Sequence, residues 1–253
     1  MRFIVTRLLN FINTTSKKDI NYTIALYLLQ NLDGVVHLSI YDIADACFVS
    51  PASVSRFAKT LGYRSFSMLK EDALQQSIIV SNVAKLPKFD QGLDKYIENL
   101  EASLDFFRHI DQTKIDQLVD WLIRYDKVCL LGIQFSGSIA MQMQGYLNLL
   151  HKWVEAPLTI SLQHECLEEF DQESLVILFT ARGNYHSAYL ENLIQVKNKG
   201  AKVVMITQNP KTNSLADLVI LTGSMENIEY SEYTMYLMMS YIVNCYQKRI
   251  LAM

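Results

Sequence analysis

The sequence predicts two domains of different classes, an all-helical domain followed by an α/β domain in which helices cover both faces of a parallel, five-stranded sheet. From Met1 to about Val80 the apolar residues recur with helical periodicity. Beyond about residue 127, short uninterrupted apolar runs alternate with helical patterns, which is typical of a parallel sheet covered on both faces. The intervening Ser81–Gly92 loses periodicity and holds a proline and a glycine, so we predict a linker there.

Length and composition fit two packed cytoplasmic domains. The chain has 253 residues, of which 50% are hydrophobic and 19% are charged. No apolar run reaches the roughly 18–20 residues of a membrane span, and no small-residue cleavage site follows the N-terminal apolar patch. The four cysteines are far apart in the sequence, so we expect buried thiols in a reducing cytoplasm rather than disulfides or zinc. We therefore expect a cytoplasmic protein with no cofactor, no metal and no membrane contact.

The segment Leu38–Tyr63 has the pattern of two short helices joined by a tight turn. Ser39 is placed to cap the first helix, and Asp42 is placed to close a capping box. Phe48 and Val49 form the corner. Spacing of i, i+3, i+4 and i+7 predicts one buried stripe on the first helix, made by Ile40, Ile43, Ala44 and Cys47.

The second helix of the pair, at about Pro51–Leu61, has the features of a DNA-recognition helix. Ser50 is placed to cap it, its proline falls in the first turn, and Gly62 ends it. The inward spacing is repeated by Val54, Phe57, Ala58 and Leu61. Small polar residues on the outward face would let the helix enter a major groove, where basic side chains reach bases or phosphates. The predicted DNA-binding residues are Ser50, Ala52, Ser53, Ser55, Arg56, Lys59, Arg64, Ser65 and Lys70.

The spacing of the two helices and the distribution of charge both bear on whether this domain binds DNA. Paired amphipathic helices with caps also occur in helical domains that bind no nucleic acid, so spacing alone leaves both alternatives open. The formal net charge is −3, yet residues 1–80 contain eight basic and six acidic residues, and several of the basic residues surround the predicted recognition helix. Because this excess is small, we expect a homodimer or homotetramer that multiplies the phosphate contacts.

The remaining elements follow from the same periodicities. Further helices are predicted at about Ile20–Asn31, Phe66–Ile79, Leu93–His109, Gln112–Arg124, Gly137–His151, Tyr185–Lys199 and Tyr230–Ile250. Strands are predicted at Lys127–Ile133, Leu175–Thr180, Lys202–Thr207 and Leu218–Leu221, with Trp153–Ala156 as a fifth. The Met- and Tyr-rich stretch Tyr233–Tyr246 is too polar to span a bilayer and is expected to be core or dimer interface.

Two strand-to-helix loops of the α/β domain are candidates for ligand binding. They are Gly132–Ser138 and Thr180–Tyr185, each after an apolar strand. Ligands of open α/β sheets bind at the carboxyl ends of the strands, where hydroxyl groups and helix N-terminal amides suit a phosphate. Such loops also hold glycine and serine for backbone reasons alone, so local composition leaves both explanations open.

The helix-turn-helix segment resembles the RpiR-type bacterial transcription regulators. Leu38–Lys70 reads LSIYDIADACFVSPASVSRFAKTLGYRSFSMLK, which is similar to the family pattern "IA…VS.ATV.RF.KKLG..GF..LK". The residues that match it are Val49, Ser50, Ser53, Val54, Arg56, Phe57, Lys59, Leu61, Gly62, Phe66 and Lys70. These regulators join an N-terminal helix-turn-helix domain to a C-terminal sugar isomerase (SIS) domain of flavodoxin-like fold.

The resemblance covers nearly the whole chain and implies an organisation and a function. It implies a DNA-binding domain at 1–80, a linker at 81–92, and a SIS domain at 93–253 that includes the preceding linker helices. It also implies binding to a double-stranded operator near carbohydrate genes, and control by a phosphosugar effector. The SIS domain of the family often supports dimerisation or tetramerisation.

The SIS half matches the family less closely. Gly132, Ser136 and Ala140 occupy the family's positions in the first loop, whereas Gln134 replaces a common glycine. The second loop is usually Ser-x-Ser-Gly-x-Thr and here reads TARGNY, so only its glycine is kept and its first position is conservatively changed. The resemblance implies phosphosugar contacts from Gln134, Ser136, Ser138, Thr180, Arg182, Gly183, Asn184, Tyr185 and Gln208.

The altered second loop has two interpretations. Arg182 neutralises the phosphate or carboxylate of an unusual ligand through a charge-assisted contact, which we favour. Alternatively, Arg182 and Tyr185 fill the pocket, and the domain serves only to dimerise the protein.

An enzyme of the same fold, a sugar-phosphate isomerase, is the competing class. Its chemistry would need a positioned base near the substrate carbons, and the available side chains are those of His164, Glu165, His186 and Glu229. The altered second loop and the helix-turn-helix argue against catalysis. We therefore predict no catalytic residue.

Overall fold

The computed structural model describes residues 4–32, 34–83, 92–133, 135–183, 190–212 and 215–253. The chain divides into two compact units, Met1–Asp90 and Gln91–Met253. Among the described residues, no helix is both long enough and apolar enough to cross a membrane.

The first unit packs short helices around one apolar core. Its described helices are α1 (Ile4–Thr14), α2 (Ile20–Gln30), α3 (Ile40–Ala46), α4 (Pro51–Thr60) and α5 (Phe66–Val83). Each contributes a fully or almost fully buried side chain to this core, namely Leu8, Leu28, Ile43, Phe57 and Leu69. The helical periodicity that begins near the N-terminus is confirmed, and it includes α1.

The fifth helix is longer than predicted. It continues to Val83, past the expected end at Ile79 and into the segment assigned to the linker. No glycine or proline lies between Phe66 and Val83, so nothing in the backbone chemistry stops the helix there.

The second unit is an α/β structure. In chain order it contains α6 (Leu93–Asp105), a 3-10 turn (Phe106–His109), α7 (Gln112–Arg124), β1 (Lys127–Leu131), α8 (Phe135–Leu149), α9 (Ile160–Glu168), β2 (Ser174–Phe179), α10 (Leu190–Asn198), β3 (Lys202–Thr207), β4 (Leu218–Leu221) and α11 (Ser231–Leu251). Of these, α9 is not predicted from the sequence.

Within the described residues the sheet has four parallel strands in the order β1-β2-β3-β4, so the prediction of five strands is wrong. The segment Trp153–Ala156 makes a single parallel bridge, in which Glu155 pairs with Cys129. The Leu130 amide donates to the Glu155 carbonyl at 2.7 Å, and the Glu155 amide donates to the Val128 carbonyl at 2.8 Å. The next donor in this ladder would be residue 157, a proline without an N–H, so the pairing ends.

Alternate residues of the strands pack into two apolar layers, one on each face of the sheet, and helices cover both layers. Val128 and Leu130 face the layer built with α7, α8 and α11, whereas Cys129 and Leu131 face the layer built with α9 and α10. The Met- and Tyr-rich α11 belongs to the first layer, where Met238 is fully buried. The carboxyl ends of all four parallel strands therefore meet at one edge of the sheet.

Candidate functional site

The helix-turn-helix starts from a reciprocal cap. Ser39 Oγ accepts a hydrogen bond from the Asp42 amide at 3.2 Å, and the Asp42 carboxylate accepts one from the Ser39 amide at 2.7 Å. The predicted capping box is confirmed. The bonds from the Ser39 amide and hydroxyl, helped by the charge of Lys70, lower the pKa of Asp42 below its usual value.

The corner between α3 and α4 lies where the sequence predicts it, but its backbone is unexpected. Phe48 has φ of 54°, in the left-handed region that bulky residues rarely adopt. The residue is 96% exposed. The turn closes through the Val49 amide, which donates to the Ala44 carbonyl at 2.9 Å. Phenylalanine carries no sequence signal for a positive φ, whereas glycine or asparagine would have indicated one.

A chain of polar contacts runs along the outward face of α4. Ser50 Oγ caps the helix by accepting from the Ser53 amide at 3.2 Å, and it lies 3.0 Å from Ser53 Oγ. Arg56 Nη2 donates to Ser53 Oγ at 3.2 Å. The exposed Arg56 guanidinium is thus held back toward the N-terminus of the helix. A side chain that is already oriented loses less entropy when it binds a partner.

The other predicted DNA-binding residues differ in accessibility. Ala52, Lys59 and Arg64 are exposed, whereas Ser55 and Lys70 are half-buried. Ser65 Oγ accepts a hydrogen bond from the Met68 amide at 3.3 Å and so caps α5. The hydroxyl oxygen that is predicted to contact DNA therefore has a structural role within the helix.

The end of α4 is anchored by side chains that the sequence does not single out. Arg7 of α1 donates to the Leu61 carbonyl, and its guanidinium lies 4.5 Å from the centre of the Tyr63 ring. The Tyr63 hydroxyl in turn donates to the Asp72 carboxylate of α5. Arg7 is therefore a basic residue with a structural role in holding the end of α4.

In the second unit, the loops after three strands are joined at the carboxyl edge of the sheet. Thr207 Oγ1 donates to the Thr180 carbonyl at 2.7 Å, and the Gln208 amide donates to the Ala181 carbonyl at 3.1 Å. The Thr222 amide donates to the Thr207 carbonyl at 2.9 Å. The structure thus brings together residues that the sequence places in separate loops.

The first loop approaches α8 so closely that it requires a glycine. A Cβ at Gly132 would lie 2.4 Å from the carbonyl carbon of Ser136. Ser136 is half-buried in the first turn of α8, with its Oγ 3.7 Å from Met235 Sδ of α11, and Ser138 is exposed.

Two glutamine side chains are buried at this edge. Gln208 is 1% exposed, and its Nε2 donates to Thr234 Oγ1 at 3.0 Å. Gln163 of α9 is 0% exposed, and its Nε2 donates to the carbonyls of Gly132 at 2.8 Å and Pro157 at 2.9 Å. In the described part of the chain neither Oε1 atom has a hydrogen-bond partner. Because an unpaired buried acceptor is costly, both oxygens are candidates to receive a donor from a ligand.

The second loop is described only in part. The Arg182 side chain is exposed, and its carbonyl accepts from Asn209 Nδ2 at 3.0 Å. Gly183 has φ of 79°, a conformation that favours glycine. The predicted contacts Gln134, Asn184 and Tyr185 lie outside the described residues.

The candidate bases of an isomerase are not brought to the carboxyl edge by any contact of the described residues. His164 Nδ1 lies 3.2 Å from Asn192 Oδ1 of α10, and its Nε2 lies 3.4 Å from the Glu168 carboxylate. Glu165 is exposed on α9. His186 and the side chain of Glu229 lie outside the described part. Among the described His, Cys, Asp and Glu residues, no group of three has the arrangement of a metal site.

Both units match known protein families. Residues 14–81 match the model of the helix-turn-helix domain of the rpiR family, and residues 122–243 match the model of the SIS domain. The chain therefore belongs to the RpiR-type regulators, which are helix-turn-helix transcriptional regulators with a SIS domain.

Similar sequences occur among bacterial regulators. An uncharacterised HTH-type transcriptional regulator of Providencia stuartii is 26% identical over 216 residues, which are 80% of this chain and 75% of that protein. The HTH-type transcriptional regulator HexR of Pseudomonas aeruginosa is 30% identical over 151 residues, or 57% of this chain and 50% of HexR. GlvR of Bacillus subtilis is 25% identical over 206 residues, or 79% of this chain and 75% of GlvR.

Solved structures show the same fold. The Vibrio vulnificus NanR protein complexed with ManNAc-6P has a TM-score of 0.53 at 17% identity, with 97% of this chain and 92% of that chain covered. A protein of Escherichia coli CFT073 has a TM-score of 0.51 at 15% identity, with 64% of this chain and 93% of that chain covered.

Proposed function

We propose that the protein binds a double-stranded DNA operator of carbohydrate genes through the outward face of α4, and that a phosphosugar controls this binding. The observation that carries the proposal is the contact chain of Ser50, Ser53 and Arg56 on a capped helix of the RpiR-family unit. Arg56 and Lys59 would reach base edges or nearby phosphates, and Arg64 and Lys70 would hold the DNA backbone.

The effector would bind at the carboxyl edge of the SIS sheet. The first turn of α8 offers amides and the hydroxyls of Ser136 and Ser138 to a phosphate. The Oε1 atoms of Gln163 and Gln208 would accept hydrogen bonds from sugar hydroxyl groups. The NanR protein, which has the same fold and is complexed with ManNAc-6P, supports this choice of ligand class.

We also propose that the protein acts in the cytoplasm as a homodimer or homotetramer. Exposed apolar side chains lie on α8 and α11, among them Met141, Tyr146 and Tyr236. A second copy that covers them would also present a second recognition helix. An effector would act by changing the spacing of the two recognition helices.

Catalysis is not part of the proposal. His164 contacts Asn192 and Glu168, and Glu165 faces solvent, so neither side chain is held as a base beside the proposed effector. The isomerase alternative would require sugar-phosphate turnover by the purified protein, which we expect to be absent.

The proposal is tested by a thermal-shift screen of the full chain against phosphorylated sugars and amino sugars, each paired with its unphosphorylated form. A ligand at about 100 times its Kd stabilises its unit by roughly 2.7 kcal/mol, so a shift with only the phosphorylated form is expected. No shift with any phosphosugar would contradict the effector assignment.

The DNA half is tested separately, by selecting bound sequences from a random duplex pool and measuring affinity by fluorescence anisotropy. We expect a two-fold symmetric consensus sequence and a salt-dependent affinity. Binding without any sequence preference would contradict the recognition-helix assignment, whatever the outcome of the effector screen.

A further inference from the structure

Two of the four cysteines meet between the sheet and α9. Cys129 lies on β1 and is 0% exposed, whereas Cys166 lies on α9 and is half-buried. Their Sγ atoms are 3.1 Å apart, and the Cys166 thiol donates a weak hydrogen bond to Cys129 Sγ. A disulfide has an S–S length of about 2.05 Å, so a displacement of roughly 1 Å would bring the sulfurs to bonding distance.

We propose that Cys129 and Cys166 are a redox modification site, where a peroxide converts the two thiols into a reversible intramolecular disulfide. The expectation of buried thiols rather than disulfides rests on the distance between the cysteines in the sequence, whereas the fold brings Cys129 and Cys166 together. Disulfides of reducing compartments are usually transient and redox-sensing, so a reversible bridge is the form expected in the cytoplasm that we propose for this protein.

The two thiols have different roles in the reaction. Cys166 is the more accessible, so its thiol loses a proton and the thiolate attacks an oxygen of hydrogen peroxide. The O–O bond breaks, the departing hydroxide takes up that proton, and a sulfenic acid and one water are formed. Cys129 Sγ then attacks Cys166 Sγ, the S–S bond forms, and the S–O bond breaks. The hydroxide that leaves takes up the proton that Cys129 released when its thiolate formed, which gives a second water. The two sulfurs together lose two electrons, which reduce one peroxide.

The surroundings of Cys129 set the pH dependence of the second step. The hydrogen bond with Cys166 and then burial raise the pKa of Cys129 well above its usual value. The attacking species is the thiolate, so closure of the disulfide is expected to accelerate as the pH rises. Among the described residues, the titratable groups that act on Cys129 are the Cys166 thiol and the Glu155 carboxylate.

The bridge would join two elements that also form the proposed effector site. Cys129 lies three residues before Gly132, and Cys166 lies one helical turn after Gln163, whose Nε2 donates to the Gly132 carbonyl at 2.8 Å. Oxidation would add a covalent link between β1 and α9 beside this hydrogen bond. The site itself depends only on the distance between the sulfurs and would stand if no phosphosugar bound.

The test exposes the native full chain to hydrogen peroxide, blocks remaining thiols with N-ethylmaleimide after denaturation, and measures intact mass. We expect loss of two hydrogen atoms, labelling of two thiols instead of four, and reversal by dithiothreitol. Digestion without reductant should yield one linked peptide pair that contains Cys129 and Cys166. The melting temperature of the oxidised second unit should rise by roughly 5–15 °C.

Three variants separate the roles of the thiols. Cys245→Ser is the matched control, because Cys245 is also half-buried, and it should still form the bridge. In Cys166→Ser, all the remaining thiols should stay reduced after exposure to hydrogen peroxide. Cys129→Ser should gain oxygen at Cys166, since the sulfenic acid has no nearby thiol to resolve it.

Several results would overturn the proposal. They are oxygen addition at Cys166 of the unaltered protein without a linked peptide, disulfides between two copies of the chain, or a linked peptide that contains Cys47 or Cys245. These readouts use the unaltered chain, so they hold even if a variant fails to fold.

Discussion

The two units build their candidate sites in opposite ways. In the first unit, the outward face of α4 arises from ten consecutive residues, and the hydrogen bonds between Ser50, Ser53 and Arg56 span a few positions. In the second unit, the carboxyl edge of the sheet gathers residues from Gly132 to Thr234, and its contacts cross dozens of positions. A helical surface can be predicted from periodicity, whereas a sheet edge depends on which strands become neighbours.

The units also differ in where the polar groups lie. Those of α4 are exposed or half-buried above an apolar stripe, while Gln163 and Gln208 are buried with an unpaired oxygen each, as far as the described residues show. An exposed polar face stays hydrated and therefore costs little free energy in the folded protein. A buried acceptor is destabilising until a ligand or water pairs with it.

Phe57→Ala should give the largest effect and should test whether the two units are independent. Phe57 is 0% exposed and its ring lies 5.1 Å from that of Phe11. We expect a loss of about 3–5 kcal/mol in the first unit, with the transition of the second unit unchanged in chemical denaturation. Phe48→Ala is the matched control, since its exposed ring predicts a change within about 0.5 kcal/mol. Equal destabilisation of both units would contradict independence.

Arg56→Ala should separate DNA binding from folding. Loss of a base contact costs about 1–3 kcal/mol, so specific affinity should fall by roughly 5- to 150-fold per half-site. The melting temperature and any phosphosugar shift should not change. Lys18→Ala removes an exposed cation of the same unit and should weaken binding far less in the same anisotropy titration. Specific binding retained by Arg56→Ala would remove this side chain from the interface.

Arg182→Ala should act on the other site alone. A charge-assisted contact to a phosphate contributes about 1.5–3 kcal/mol, so effector affinity should fall while DNA affinity without effector stays constant. Arg108→Ala, which removes a cation with a side chain 81% exposed, is the control. Unchanged thermal-shift titrations would show that the guanidinium is no ligand contact and would favour the filled-pocket interpretation.

Ser39→Ala should have the smallest effect, because it removes one local cap of α3. We expect the first unit to lose about 0.5–2 kcal/mol, measured by chemical denaturation. The stability of the second unit should not change. A change there would contradict the view that this cap acts only on its own helix and unit.

The partner of this cap supplies a pH test. The folded-state pKa of Asp42 is lowered, so its stabilising contribution is present above the unfolded pKa and is lost as the pH falls through the folded value. Asp42→Asn should therefore differ from the unaltered chain at neutral pH, and the difference should shrink in acid. A difference that grew on acidification would contradict the sign of this shift.

Several elements of the second unit follow from the sequence, and others do not. The predicted bounds of β3 and β4 agree with the structure because uninterrupted apolar runs have few alternatives. The fifth strand fails at Pro157, whose missing N–H matters only once its partner, Leu130, is known. Helix α9 is nine residues long, and its sequence does not mark Gln163 as buried, because the hydrogen bonds of that side chain reach Gly132 and Pro157.

Local chemistry alone therefore specifies the caps at Ser39 and Ser50, the apolar stripes of α3 and α4, and the outward position of Arg56. The atoms involved lie within one or two helical turns, so their contacts form whenever the helix forms. Tertiary packing decides that Gln163 reaches Gly132 and that Cys166 meets Cys129. Such contacts join residues far apart in the chain, and only the order of the strands and the helices that cover them brings these side chains together.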